Sequence, residues 1–184
     1  MTIFLIVIAV LVLYVVFAFN GLVSRRVQVK EAWATVDTQL KRRYDLIPNL
    51  VSAVKGAAKH EKGTLDAVIK ARASAMSATG ADNKAAAENQ LTGALKSIFA
   101  LAENYPNLKA NENFLELQRE LADTETKIQA SRQFYNTVVM GLNTAVQQFP
   151  GNIIAGMFKI GQAEFFELDE AEKKAAKKAP KVEF

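Results

Sequence analysis

The chain has 184 residues, half of them apolar, and a formal charge of +4 carried entirely by side chains from Arg25 onward. It has no cysteine, which excludes disulfides, thiolate zinc sites, iron–sulfur clusters, lipoprotein lipidation and a cysteine nucleophile. Scarce Gly and Pro beside plentiful Ala, Leu, Lys and Glu favour helix, and so small a basic excess gives no footprint for nucleic acid.

Residues 1–24 contain no charged side chain, and 2–19 are almost all Ile, Val, Leu, Phe and Ala. A bilayer core about 30 Å thick needs about 20 such residues. A cleaved signal peptide is the competing reading. Against it, no Lys or Arg precedes the run, and the exit Phe17-Ala18-Phe19-Asn20-Gly21 has no small-x-small cleavage site. The run is also longer than an ordinary signal core. Residues 1–24 are therefore expected to be a retained transmembrane anchor in contact with the lipid bilayer. Arg25, Arg26 and Lys30 follow it directly, so the positive-inside bias puts the N-terminus outside and the body of the protein in the cytoplasm.

Beyond the anchor the helix is expected to continue into a heptad seam of Val29, Trp33, Val36, Leu40, Tyr44, Ile47, Val51, Val54 and Ala58. Pro48 lies within it and predicts a kink near residues 44–48. Residues 59–64 read as a turn with Thr64 as the next N-cap; the alternative is one continuous helix to Ala78. Leu65, Val68, Ile69, Arg72 and Met76 form a short stripe. A loop at 79–83 follows, with Asp82 as a candidate cap. Ala87, Leu91, Leu95, Ile98, Leu101 (or Ala102) and Tyr105 make a third stripe, ended by Pro106.

The longest element is expected to open at Asn107 or at 111–113. Phe114, Leu117, Leu121, Thr124, Ile128, Ser131, Tyr135, Val138, Leu142, Ala145 and Phe149 alternate in steps of three and four without a slip. That is the seam of a helix roughly 50 Å long. Pro150 and Gly151 close it. Residues 150–166 are an apolar segment with little periodicity, expected to pack on the bundle, the membrane surface or a neighbour. Its candidate contacts are Ile153, Ile154, Met157, Phe158, Phe165 and Phe166. Residues 167–184 are charged, Ala/Lys-rich and expected to be a disordered tail.

The predicted fold is all-α: an N-terminal transmembrane helix, then an antiparallel, up-down-up-down long-helix bundle over residues 25–149. The first and longest helices form its core pair, and two short helices cover part of their length.

Several stretches carry a family likeness. They are Trp33, the run 39–51 containing Asp45-Leu46-Ile47-Pro48-Asn49-Leu50, Ala71-Arg72, and the run 102–114 containing Tyr105-Pro106-Asn107-Leu108-Lys109-Ala110-Asn111. Thr124-Glu125, Arg132 with Tyr135-Asn136, and Phe149-Pro150 complete the set. Together they resemble the LemA family from the anchor to about Phe166. The resemblance implies a bacterial membrane protein with one N-terminal span and a helical bundle, and no assigned molecular activity.

The residues themselves point to no chemistry. His60 is the only histidine and makes neither a zinc site nor a triad. Asp37, Asp45, Glu103, Glu112, Glu116, Glu120 and Glu125 lack the Glu-x-x-His pairs of a di-metal bundle. The glycines never form a phosphate-binding loop. No cofactor, metal ligand or catalytic residue is expected, and the chain does not read as an enzyme.

Lys41, Arg42, Arg43 and Asp45 are the candidate partner-binding surface. Lys41 and Arg43 flank the seam and Arg42 points outward; the plainer reading is ion pairing to acids on the same or another helix. Two expectations follow. The first is a membrane-tethered, self-assembling scaffold. The second is a regulator of another membrane protein, such as an envelope-stress protease.

Overall fold

A computed structural model describes residues 1–58 and 61–166. Among these residues there are six helices and no strand: α1 (Thr2–Ala57), α2 (Lys62–Ser77), α3 (Ala81–Ala102), α4 (Pro106–Lys109), α5 (Glu112–Gln147) and α6 (Gly151–Met157). The fold is all-α, as the periodicity predicts. The expected tail at 167–184, and His60, lie outside the described residues.

Helix α1 runs unbroken through Pro48. Proline cannot donate to the carbonyl four residues back, which is that of Tyr44. Arg72 supplies the missing donor: its Nε lies 2.8 Å from the Tyr44 carbonyl oxygen. A guanidinium from the next helix thus satisfies the backbone group that the proline frees.

α1 stops at Ala57 and α2 starts at Lys62, so the two helices are separate where a turn is expected and no continuous helix reaches Ala78. The helix boundaries correct two details. α2 begins at Lys62, which places Thr64 inside its first turn instead of at the N-cap. α3 is entered from Gly80 at φ 81°, a conformation open to glycine, so Asp82 falls in the first turn, where its charge complements the helix dipole. Asn111 does cap α5, accepting from the Phe114 backbone N–H at 3.1 Å. Pro106 at the first position of α4 makes a short helix where the sequence suggests only a break.

The chain divides into two compact units. The first comprises Gln39–Ile128 together with Phe166. In it the second part of α1, then α2, α3 and the first part of α5 alternate in direction. Tyr44 reaches the Ala75 carbonyl, which fixes α2 antiparallel to α1. Phe99 stacks edge-on with Phe114, and α3 and α5 run oppositely. Leu40, Ile47, Leu50, Val54, Val68, Leu91 and Ile98 are fully buried. On α2, Ala75 takes the inward place, while Ile69 and Met76 face out, contrary to the stripe expected there.

The other unit comprises Met1–Thr38 and Gln129–Phe165. Here α1 and α5 are antiparallel: Arg25 donates to the Gly141 carbonyl at 3.3 Å, and Trp33 meets the Tyr135 ring at 5.3 Å. Val29, Ala32, Tyr135, Val139 and Leu142 are buried. Of the long seam, Phe114, Leu121, Thr124, Ile128, Tyr135 and Leu142 are buried and Leu117, Ser131, Val138 and Ala145 half-buried, but α5 ends at Gln147 and Phe149 is 80% exposed. The run after α5 is tied back by Asn143, whose amide donates to the Ala163 carbonyl at 2.9 Å and accepts from the Ala163 N–H at 2.8 Å. The Tyr135 hydroxyl donates to the Glu164 carbonyl at 2.9 Å. Burial, with the Glu164 charge nearby, raises the Tyr135 pKa above its usual value of 10.0.

Candidate functional site

Val36, Leu40, Arg43, Ile47, Leu50 and Val54 recur in steps of four and three and are the most deeply buried column of α1. Arg43 occupies one of these core positions, with only 2% of its surface exposed. An arginine cannot lose its charge there, so the fold has to bring acids to it. Its guanidinium pairs with Glu88 of α3, itself buried, and with Glu125 of α5, and donates to the Thr92 hydroxyl at 3.1 Å. The Nε of Arg43 is buried without a partner. The Tyr44 hydroxyl donates to the second oxygen of Glu88. Lys84, one turn before Glu88, is also buried; its ammonium bonds the Ala75 carbonyl at 3.0 Å and lies 5.7 Å from the centre of the Tyr44 ring.

Two cations and two carboxylates therefore balance inside the first unit. The α1, α3 and α5 segments are joined by charge as well as by apolar packing. A hollow of about 250 Å³ opens beside the network, lined by Thr92, Leu95, Phe99, Leu121 and Glu125. Among the described residues no group of three or more His, Asp or Glu side chains could hold a metal ion. The arrangement neutralises buried charge and fixes which helices pair.

The four candidate partner-binding residues are thus split. Arg43 belongs to the core. Lys41, Arg42 and Asp45 are exposed. Arg42 lies 3.5 Å from Asp123 of α5, both about half exposed. The Asp123 carboxyl is held below the usual carboxylate range, chiefly by the Lys127 ammonium at 2.8 Å, with a smaller contribution from Arg42. The apolar candidates of residues 150–166 also divide. Ile154 and Phe166 are buried, whereas Ile153, Met157, Phe158 and Phe165 are exposed.

The family model described as the LemA family matches residues 32–184. The chain belongs to the LemA family. Among its relatives is the Protein LemA of Metamycoplasma hominis, 24% identical over 159 residues, which cover 84% of this chain and 71% of that protein. The LemA-family match includes every member of the Arg43 network. Outside the matched span lies the whole apolar run of α1, the one helix among the described residues that is long and apolar enough to cross a membrane.

Glu88 and Lys84 were not among the residues that sequence reasoning singled out. Their signal was present: stepping back from Ile98 through Leu95 and Leu91 in threes and fours lands on Glu88 and then Lys84. Charged residues at consecutive seam positions of this LemA-family helix point to a buried ionic cluster.

Proposed function

We infer that this chain is a membrane-anchored helical-bundle scaffold that assembles with copies of itself. The observation that carries the reading is the continuity of α1. One unbroken helix contains the charge-free run of residues 1–24 and the buried column from Leu40 to Val54. None of the most apolar part of that helix is buried in the structure, which leaves it for lipid. Arg25, Arg26 and Lys30 just beyond it favour a bundle on the cytoplasmic side of a bacterial inner membrane. A C-terminal reporter active only in the periplasm would reject that orientation.

Self-assembly is supported by the unit containing Trp33 and Tyr135. Its long-helix part is α1 against α5 alone, and Val23, Val27, Phe134 and Met140 stay exposed. A two-helix pair with apolar residues left over favours lateral association. Single cysteines placed at Val27 or Met140 should cross-link into dimers or larger species in native membranes; monomers alone would reject assembly.

A second reading, an adaptor for another membrane protein, is favoured by the exposed Lys41, Arg42 and Asp45 on one segment of α1. A partner recovered from detergent extracts should be lost on changing Lys41 and Arg42 to Glu. Retention of the partner would reject this reading. Arg43 is left unchanged in the test because its loss would disturb the core.

A further inference from the structure

Helix α6 has two unlike faces. Ile154 and Ala155 turn inward, with Ile160 just beyond the helix, to form a cluster with Leu22, around which Val15, Ala18 and Phe19 pack. The Phe158 ring sits 4.4 Å from that of Phe19. The other face is bare and, apart from Asn152, apolar. Ile153 and Met157, one turn apart, are 52% and 66% exposed, and Phe149 precedes them.

The height of this helix along α1 follows from its contacts. Val15 and Leu22 lie ten and three residues before Arg25, the first charged side chain. At 1.5 Å per residue, α6 therefore packs about 5–15 Å to the apolar side of that arginine. Lipid that covers residues 15–19 of the span also meets α6, because α6 lies against them. Thr144, Gln147, Gln148 and Asn152 are exposed nearby and uncharged, which sets the depth at the headgroup boundary and not at mid-bilayer. Lys159, exposed directly after α6, and Arg26 on α1 supply cations for lipid phosphates.

We propose that α6 is a second, interfacial membrane anchor, its Phe149, Ile153 and Met157 face seated in the boundary between headgroups and acyl chains. Its occupant is lipid, because α6 packs on residues 15–22 of α1, at the end of the apolar run whose most apolar part nothing in the structure buries. The proposal rests on residues 1–24 crossing the bilayer, so its test must separate the two.

The absence of native cysteine makes that test direct. Single cysteines at Met157, at Leu11 in the span and at Lys41 in the bundle are labelled with a fluorophore in the full-length protein. The protein is reconstituted in vesicles of phosphatidylcholine and phosphatidylglycerol. Phospholipids carrying a nitroxide near the top of the acyl chain, or near its end for the Leu11 probe, are then compared with aqueous iodide as quenchers. The Met157 probe should be quenched by lipid nitroxide at least about threefold more than the Lys41 probe, and be shielded from iodide. Quenching of Met157 by iodide alone, while Leu11 responds to lipid, would overturn the interfacial anchor and leave the span intact. Protection from both quenchers together with cross-linking between Met157→Cys copies would assign the face to a second protomer and also overturn it. Failure of lipid to reach the Leu11 probe would overturn the span and the interfacial anchor together.

Discussion

Replacing Arg43 by Met should be among the most damaging single changes in the bundle. Methionine fills most of the arginine's volume but leaves Glu88, 2% exposed, without the cation that compensates its charge. Glu125 is 30% exposed and can recover water, so most of the penalty falls at Glu88. Breaking a buried ion pair from one side costs about 3–5 kcal/mol. For a chain of this size that lowers the melting temperature by about 6–20 °C.

Replacing both partners has a different sign. Arg43→Met with Glu88→Leu removes both charges. Tyr44 and Lys84 keep the Ala75 carbonyl as acceptor, and Glu125, 30% exposed, recovers water. The double variant should recover most of the loss, since an apolar pair of similar volume is often as stable as the ion pair it replaces. Urea titration of the full chain in detergent micelles, followed by far-UV circular dichroism, measures both. A single variant within about 1 kcal/mol of the parent, or a double variant no better than the single, would refute the assignment of Arg43 and Glu88 as a mutually dependent buried pair.

Arg72→Met should cost about 1.5–3 kcal/mol by stripping the donor from the Tyr44 carbonyl. Pro48→Ala, which restores a backbone N–H for that carbonyl, should be more favourable in the Arg72→Met background than in the parent; additive energies in a double-mutant cycle would contradict this coupling. Asn143→Leu should cost about 1–3 kcal/mol and speed hydrogen exchange across residues 160–165, because both its bonds to Ala163 are lost. Gly151→Ala would place a Cβ 2.4 Å from the Ala145 carbonyl oxygen and should destabilise by about 1–3 kcal/mol. Gly156→Ala in the same helix meets nothing within 4 Å and should be neutral or stabilising by up to about 1 kcal/mol, so thermal melts of the pair separate crowding from helix propensity.

Apolar spacing made the long elements readable. Most of the α1 and α5 seams are buried where the threes and fours place them, because packing against antiparallel neighbours selects that stripe; Trp33, Val51 and Val138 are half-buried, and Ala32, Leu50 and Val139 beside them lie deeper. Spacing alone did not show which column of α1 is deepest. Two adjacent columns, one through Arg43 and one through Tyr44, are both buried, and a cation in a seam reads more readily as a flank. Glu88 and Lys84 were hidden for the same reason: their charge masked their register.

The helix starts were misplaced where no side chain caps them. Neither α2 nor α3 has a side-chain hydrogen bond at its N-cap, so Thr64 and Asp82 were plausible decoys. Seven residues are too few for a helical period to show, which is why α6 read only as an apolar segment. Its two faces became distinct once Leu22 and Phe19 were beside it.

The Arg43 network also sets a timetable for synthesis. Glu88 follows Arg43 by 45 residues and Glu125 by 82. At about 5–20 residues per second, the first acid is made roughly 2–9 s after the arginine and the second roughly 4–16 s after it. The nascent α1–α2–α3 hairpins can therefore neutralise Arg43 while α5 is still on the ribosome. The last long helix then docks with Glu125 as the second acid, which brings the two cations and two carboxylates into balance.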